Sequence, residues 1–172
     1  MKRYAARPIA LALSALLLGT ASARAQKAVF VVRHAEKTAD QQQLLTEAGR
    51  ARAQRLAAML KDSGVAAIYS TDTARTRETV KPLADALKRT IELYDTGASM
   101  SGNVDARAFV AMMRKDHPND VVVVAGHSNT VPNLLETLGC KEKVALGDNE
   151  YDNLFVVVPK EGGGATLLSL RY

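Results

Sequence analysis

Two histidines each follow a short, unbroken apolar run. His34 comes after Ala28 to Val32 through Arg33, and His127 comes after Val121 to Ala125 through Gly126. Continuous runs of this kind are strands buried on both faces of a parallel sheet. In open parallel sheets the ligand crevice lies beyond the carboxyl ends of the strands, so both histidines are delivered to that edge. A third run, Val65 to Tyr69, ends at the same edge and opens the segment Ser70 to Thr79, which places Arg75 in the first turn of the next helix. Arg33, His34, Arg75 and His127 thus converge. The set suits a phosphoryl group better than a metal. Metal sites recruit carboxylates or thiolates beside histidine, and no His-x-x-x-His or Cys-x-x-Cys spacing occurs. Guanidinium forks match phosphate oxygens in pairs, and helix N-termini expected at Thr71 to Thr73 and at Ser128 to Thr130 add backbone donors. Ser70, Asn129 and Thr130 are further phosphate contacts to weigh, with a plain N-cap as the competing role for Asn129. No P-loop signature is present.

The elements that must position these residues alternate short β-branched runs with longer helical patterns. This is the mark of an α/β fold: a three-layer α/β/α arrangement with a mostly parallel sheet of about six strands. Leu45, Ala48, Leu56, Met59 and Leu60 recur at helical spacing, with Thr46 as N-cap and Gly64 as the stop. Asp72 or Thr71 caps a second helix running towards Lys88, and Pro82 inside it predicts a kink or restart. Ile91 to Leu93 reads as a short strand leading into the loop Gly97 to Asn103. Val104 to Lys115 is helical in pattern, His117 to Asp120 a turn, and a last helix carries Leu134, Leu135 and Leu138 up to Gly139. Leu154 to Val158 and Ala165 to Leu170 form an antiparallel pair across the glycines at 162 to 164, at one side of the sheet.

Residues 1–25 read as a secretory signal: Lys2, Arg3 and Arg7, an apolar run from Ile9 to Leu18, then Ala23-Arg24-Ala25. The run is shorter than the roughly 20 residues of a bilayer span. Residues 26–172 are expected to be a single domain, soluble and exported, periplasmic in a Gram-negative source or otherwise secreted, with no stable membrane span. The leader holds four basic residues and no acid, and without it the net charge falls from +5 to +1. The basic pI therefore belongs to the leader, and a nucleic-acid footprint is not indicated. Cys140 is the sole thiol, so no intrachain disulfide can form; it reads as a small buried residue.

The ordered set Val32-Arg33-His34-Ala35-Glu36, Ser70 to Thr79 and Gly126-His127-Ser128 resembles the histidine phosphatase superfamily, the clan of phosphoglycerate mutase. Leu44 to Gly49 with Arg52 is similar to the opening of the family's first helix. The small size is similar to the phosphohistidine-phosphatase-like members and short for a mutase. The resemblance implies His34 as a nucleophile forming a phosphohistidine, Arg33 and Arg75 on the phosphoryl oxygens, and His127 as a further donor. It implies a phosphorylated small molecule or phosphoprotein as substrate, with no cofactor and no metal. Arg77 and Glu78 read as a solvated face. Glu36 matches the acidic residue of the first motif, either entering the pocket or orienting a neighbour. Many relatives carry a carboxylic acid that protonates the leaving group; Glu92 and Asp95 are the candidates here, with the loop Asp148 to Asp152 offering others. The rival reading is a non-catalytic phosphate or phosphoprotein binding module on the same scaffold, which would not need the His34 nucleophile.

Overall fold

The computed structural model describes residues 26–96 and 105–172. The leader and the loop Gly97 to Asn103 lie outside the described residues. Ten elements follow one another: β1 (Ala28–Arg33), α1 (Glu47–Leu60), β2 (Val65–Ser70), α2 (Ala74–Leu87), β3 (Ile91–Leu93), α3 (Arg107–Asp116), β4 (Val121–Gly126), α4 (Thr130–Thr137), β5 (Asn153–Pro159) and β6 (Ala165–Arg171). The strands form one sheet in the order β3-β2-β4-β1-β5-β6. The first four in that row are parallel, and β5 and β6 are antiparallel additions at one side. This is the mostly parallel sheet that the sequence pattern implies.

Strand alternation divides the core. Val29, Val31, Val122, Val124, Phe155 and Val157 face α3 and α4, where they meet Phe109, Met113, Leu134 and Leu135. Val32, Val123, Ala125 and Leu154 face α1 and α2, against Leu56, Leu60, Val80 and Leu83. Successive side chains of a strand point to opposite faces, so a run such as Val121–Gly126 can supply both layers only by being apolar throughout. Burying each such valine or leucine contributes about 1.5–3 kcal/mol. In β2 the pairing to β4 shifts between Val65 and Ala67. The bulge lets Val65 face one layer while Ala67 and Tyr69 face the other.

Local capping sets where the helices begin. Thr46 caps α1 as expected, its hydroxyl accepting from Gly49 N at 3.1 Å, and Gly64 follows the helix at φ +71°. Helix α2 departs from the expectation at two points. Its N-cap is Thr73, not Asp72 or Thr71, because the Thr73 hydroxyl accepts from Thr76 N while Asp72 pairs with Arg77. It also runs unbroken through Pro82 to Leu87, with Lys88 in the left-handed region as its C-cap. Helix α3 begins at Arg107 with Ala106 as its N-cap, whose N–H donates to Asn133 Oδ1 at 3.1 Å; Val104, the expected start, lies outside the described residues. Gly49 has a packing reason: a Cβ there would lie 2.2 Å from the Glu36 carbonyl oxygen, so α1 approaches the segment after β1 only with glycine at this point.

Candidate active site

Parallel β1, β2 and β4 end side by side, and the register pairs Arg33 with Gly126 and Ser70 with Ala125. The segments leaving these strands therefore meet at one edge. His34 N donates to Gly126 O at 2.9 Å, which ties the two histidine segments together. Ala35 N donates to the Thr79 hydroxyl at 2.9 Å, and that hydroxyl donates to Arg75 O at 2.7 Å, so α2 is fixed against the His34 turn. The rings of His34 and His127 lie edge to face with centroids 5.4 Å apart.

His34 is 3% exposed. Its Nδ1 lies 2.8 Å from Ala35 O. A carbonyl only accepts, so Nδ1 carries the proton and Nε2 keeps its lone pair. Burial, then the charges of His127, Arg75 and Arg33, lower the pKa to about 4 against the pull of the Ala35 carbonyl. The ring is neutral at pH 7.

His127 sits between two partners. Arg75 Nη2 donates to its Nδ1 at 3.3 Å, and its Nε2 lies 2.8 Å from the Thr71 hydroxyl. A guanidinium has no acceptor, so Nδ1 must be the bare nitrogen and Nε2–H donates to Thr71. Thr71 passes its own proton to Thr76 Oγ1 at 3.0 Å. Burial and the two arginines lower the His127 pKa to about 4 as well. In this geometry its single N–H is spent on Thr71, and what it gives the pocket directly is an anchor for Arg75. Donation to an anion requires a second proton or a turn of the ring.

Arg33, 5% exposed, donates from Nη1 to Gly147 O at 2.7 Å and to Glu150 O at 3.2 Å. Arg75 donates from Nη1 to Gln43 Oε1 at 2.5 Å. In both guanidinium groups Nε is buried with no protein partner among the described residues. None of the ion pairs among the described residues involves Arg33 or Arg75. The Arg75 pKa is pulled down by burial and by the charge of Arg33. Arg33 is buried and Arg75 half-buried, and two neighbouring cations with Nε donors unused among the described residues are chemically suited to an oxyanion. No cluster of three or more His, Cys, Asp or Glu capable of holding a metal occurs among the described residues.

Beside this group opens a cavity of about 580 Å³, walled by Thr71, Asp72, Thr73 and Arg75 on one side, Leu93 to Thr96 on another, and His127, Asn129 and Thr130 on the third. It reaches His127 and Arg75 rather than His34 itself. Asn129 does border it, but its side chain makes no capping bond. The cap of that turn is Thr130, whose hydroxyl accepts from His127 N at 2.8 Å. Of the two acid candidates only Asp95 lines the cavity. Glu92 is exposed and interacts instead with Tyr69, whose ring packs on Phe109 and His117 on the α3 side of the sheet. Two carboxylates of the 148–152 loop are otherwise engaged: Glu150 accepts from Gly147 N at 2.8 Å and Asp152 from Arg171 at 2.5 Å.

Other expectations resolve as follows. Ser70 is fully buried, donates to Thr71 O and does not line the cavity. Glu36 does not enter the pocket; it is paired with Arg52, which also donates to Tyr172 O at 2.5 Å. Arg77 lies on the exposed face, but Glu78 is half-buried and accepts from Leu45 N at 2.9 Å, pinning the loop before α1. Gln43, Thr71 and Tyr151 were not singled out from sequence for the roles they have here. Their relevance comes from contacts 32, 56 and 117 or more residues distant along the chain, which no local spacing encodes.

Residues 29–96 match the model of the histidine phosphatase superfamily (branch 1). That stretch carries Arg33, His34 and Arg75, and His127 lies beyond it on the same sheet edge. The chain is thus similar to the histidine phosphatase superfamily over this stretch, which is less than half of its length. Among solved structures it is similar to the protein histidine phosphatase SixA complexed with tungstate, at 19% identity, with a TM-score of 0.66 over 84% of this chain and 96% of that one. It is also similar to a mycobacterial glucosyl-3-phosphoglycerate phosphatase (14%, TM-score 0.62, 85% and 98%). A phosphoserine phosphatase from Entamoeba histolytica in complex with 3-phosphoglyceric acid matches at 14%, TM-score 0.62, over 84% and 96%. These likenesses are of fold. No curated protein matches the chain by sequence.

Proposed function

We propose that the protein is an exported, metal-independent phosphatase that hydrolyses phosphomonoesters or phosphoramidates through a phosphohistidine on His34. The observation that carries this reading is the state of His34: neutral, with Nδ1–H spent on a backbone carbonyl, beside two arginines whose Nε donors have no partner among the described residues. Nε2 attacks phosphorus as the bond to the leaving oxygen or nitrogen breaks. Arg33 and Arg75 hold the equatorial oxygens, where transition-state charge spreads. A phosphate dianion beside His127 favours a second proton on that ring, which would then donate to it. The position of Asp95 on the cavity wall supports it as the carboxyl that protonates the leaving group. Water then breaks the P–N bond, giving inorganic phosphate and restoring neutral His34. The leader pattern supports export, and no described helix is long and apolar enough to cross a membrane.

The test is turnover with an aryl phosphate, with and without chelator, and rapid quench of the phosphoenzyme. The expected intermediate is acid-labile and alkali-stable, and it is lost with activity in His34→Ala. Near wild-type kcat in that variant, an acid-stable phosphoenzyme, or strict dependence on an added divalent ion would overturn the mechanism.

A further inference from the structure

Arg33 and His34 share a third neighbour that no motif contains. The loop between α4 and β5 carries Tyr151, whose ring centroid is 4.3 Å from Arg33 Cζ and 5.8 Å from the His34 ring. The same loop supplies the two carbonyls, Gly147 O and Glu150 O, that take both protons of Arg33 Nη1. It is held in turn by Glu150 on Gly147 N and by Arg171, which pairs with Glu150 at 3.6 Å and with Asp152. Arg33 is thus gripped along one edge by carbonyls and across one face by an aromatic ring. What is left is the edge bearing Nε–H and one Nη2–H, two parallel donors with the spacing of two oxygens of a phosphoryl group.

We propose that Tyr151 is a positioning residue of the site: its ring holds Arg33 so that the Nε/Nη2 edge faces the phosphoryl group, and it walls the His34 ring from water. The inference rests on the reading of His34 as nucleophile and Arg33 as phosphate clamp. A planar cation over an aromatic face is attracted most strongly where water is excluded, and Arg33 is almost wholly buried. For His34 the ring supplies desolvation, and burial is the largest cause of its lowered pKa. The charged and titratable groups that face His34 are Arg33 on its own strand, Arg75 on α2, His127 after β4 and Tyr151 on the loop. The three basic groups act in one direction, and removing the ring admits water without removing any of them. The hydroxyl plays no part in either effect.

Three variants separate the roles. Tyr151→Phe keeps the ring, Tyr151→Leu keeps most of the bulk without the π face, and Tyr151→Ala removes both. The readouts are kcat/KM on an aryl phosphate, affinity for inorganic phosphate, and the His34 titration midpoint followed by NMR among the chain's three histidines. Tyr151→Phe is expected within about twofold of wild type in all three, since the face that binds the cation is retained. Tyr151→Leu is expected to lose about 30-fold in kcat/KM and in phosphate affinity, the factor a desolvated cation–π contact supplies, with the His34 midpoint unmoved. Tyr151→Ala is expected to lose at least as much and to raise the His34 midpoint towards its ordinary 6.5. A Tyr151→Ala protein with wild-type kcat/KM and midpoint would overturn the proposal, and so would a Tyr151→Phe protein as impaired as Tyr151→Ala. Absence of turnover in the wild type would sink the phosphatase reading instead, while phosphate affinity and the titration would still judge Tyr151.

Discussion

At the scale of single residues, chemistry depends on which nitrogen or oxygen is free. His34 and His127 are both neutral imidazoles, yet one has a bare Nε2 and the other has both ring nitrogens engaged. Burial sets the charge of both, and the hydrogen-bond partners set the difference in role. The same reasoning bears on the proposed proton donor. Expelling an alkoxide needs a proton in the transition state, a contribution of roughly 100- to 10,000-fold, whereas aryl oxides and phosphoramidate nitrogens leave with less help. With Asp95 on the cavity wall and Glu92 turned to Tyr69, Asp95→Asn is expected to depress kcat/KM for an alkyl phosphate far more than for an aryl phosphate. Glu92→Gln should change both little. Equal losses on the two esters in Asp95→Asn would show that Asp95 does not deliver the proton. All four residues first picked out from sequence are brought together, because each stands at a strand end or a few positions past one, where chain order alone fixes position. Gln43 and Tyr151 were illegible for the opposite reason: each reaches the site from a loop whose course is set by tertiary contacts such as Glu78 on Leu45 N and Arg171 on Glu150.

At the scale of elements, the site is a set of strand-to-helix turns, and their geometry depends on what can approach the backbone. Gly126 ends β4 one residue before His127. A Cβ there would lie 2.7 Å from the Thr130 hydroxyl and 3.1 Å from Tyr94 Oη. Thr130 is the group that caps His127 N, so Gly126→Ala forces the cap and the histidine to shift together. Overpacking of this kind costs typically about 1–3 kcal/mol of stability. Because the displaced groups border the cavity, kcat/KM is expected to fall more steeply than the unfolding midpoint would suggest. Wild-type kinetics with a lowered midpoint would show that the turn yields without moving His127. The central strands β1, β2 and β4 were legible within one residue because their runs are apolar on both faces, as two-sided burial demands. The helix starts were less so. Thr71, Asp72 and Thr73 are all competent caps, and the choice of Thr73 is made by tertiary demands on the other two: Thr71 is taken by His127 and Thr76, and Asp72 by Arg77. Pro82 was a false alarm for a break, since a helix packed firmly over the sheet through Val80 and Leu83 can absorb one missing hydrogen bond.

At the scale of the whole molecule, the pocket's positive charge is local, set in a chain whose net charge over residues 26–172 is only +1. Elsewhere opposite charges meet at the surface, as Lys81 with Asp85 and Arg107 with Asp105. Holding two neutral histidines beside two unpaired arginines makes folding depend on pH. His34 and His127 have folded pKa values of about 4 against 6.5 when unperturbed. Between those values the unfolded chain takes up protons that the folded chain refuses, so stability falls as pH drops from about 6.5 to about 4 and these two groups add nothing further below that. Glu36, held low by Arg52, and Asp152, held low by Arg171, push the same way, but their loss comes as pH falls through their own lowered values, beneath the ordinary carboxylate range. The histidine window is therefore separable. Urea unfolding of the wild type and of His127→Asn at pH 7, 5.5 and 4.5 is expected to show a shallower decline in the variant, because asparagine takes no proton in either state. Inorganic phosphate should raise the wild-type midpoint at every pH by mass action, and most at the acid end, where a bound anion lets the pocket histidines accept the protons they otherwise refuse. Parallel declines in the two proteins, with no added protection by phosphate at low pH, would show that the pocket histidines are not held neutral by the fold.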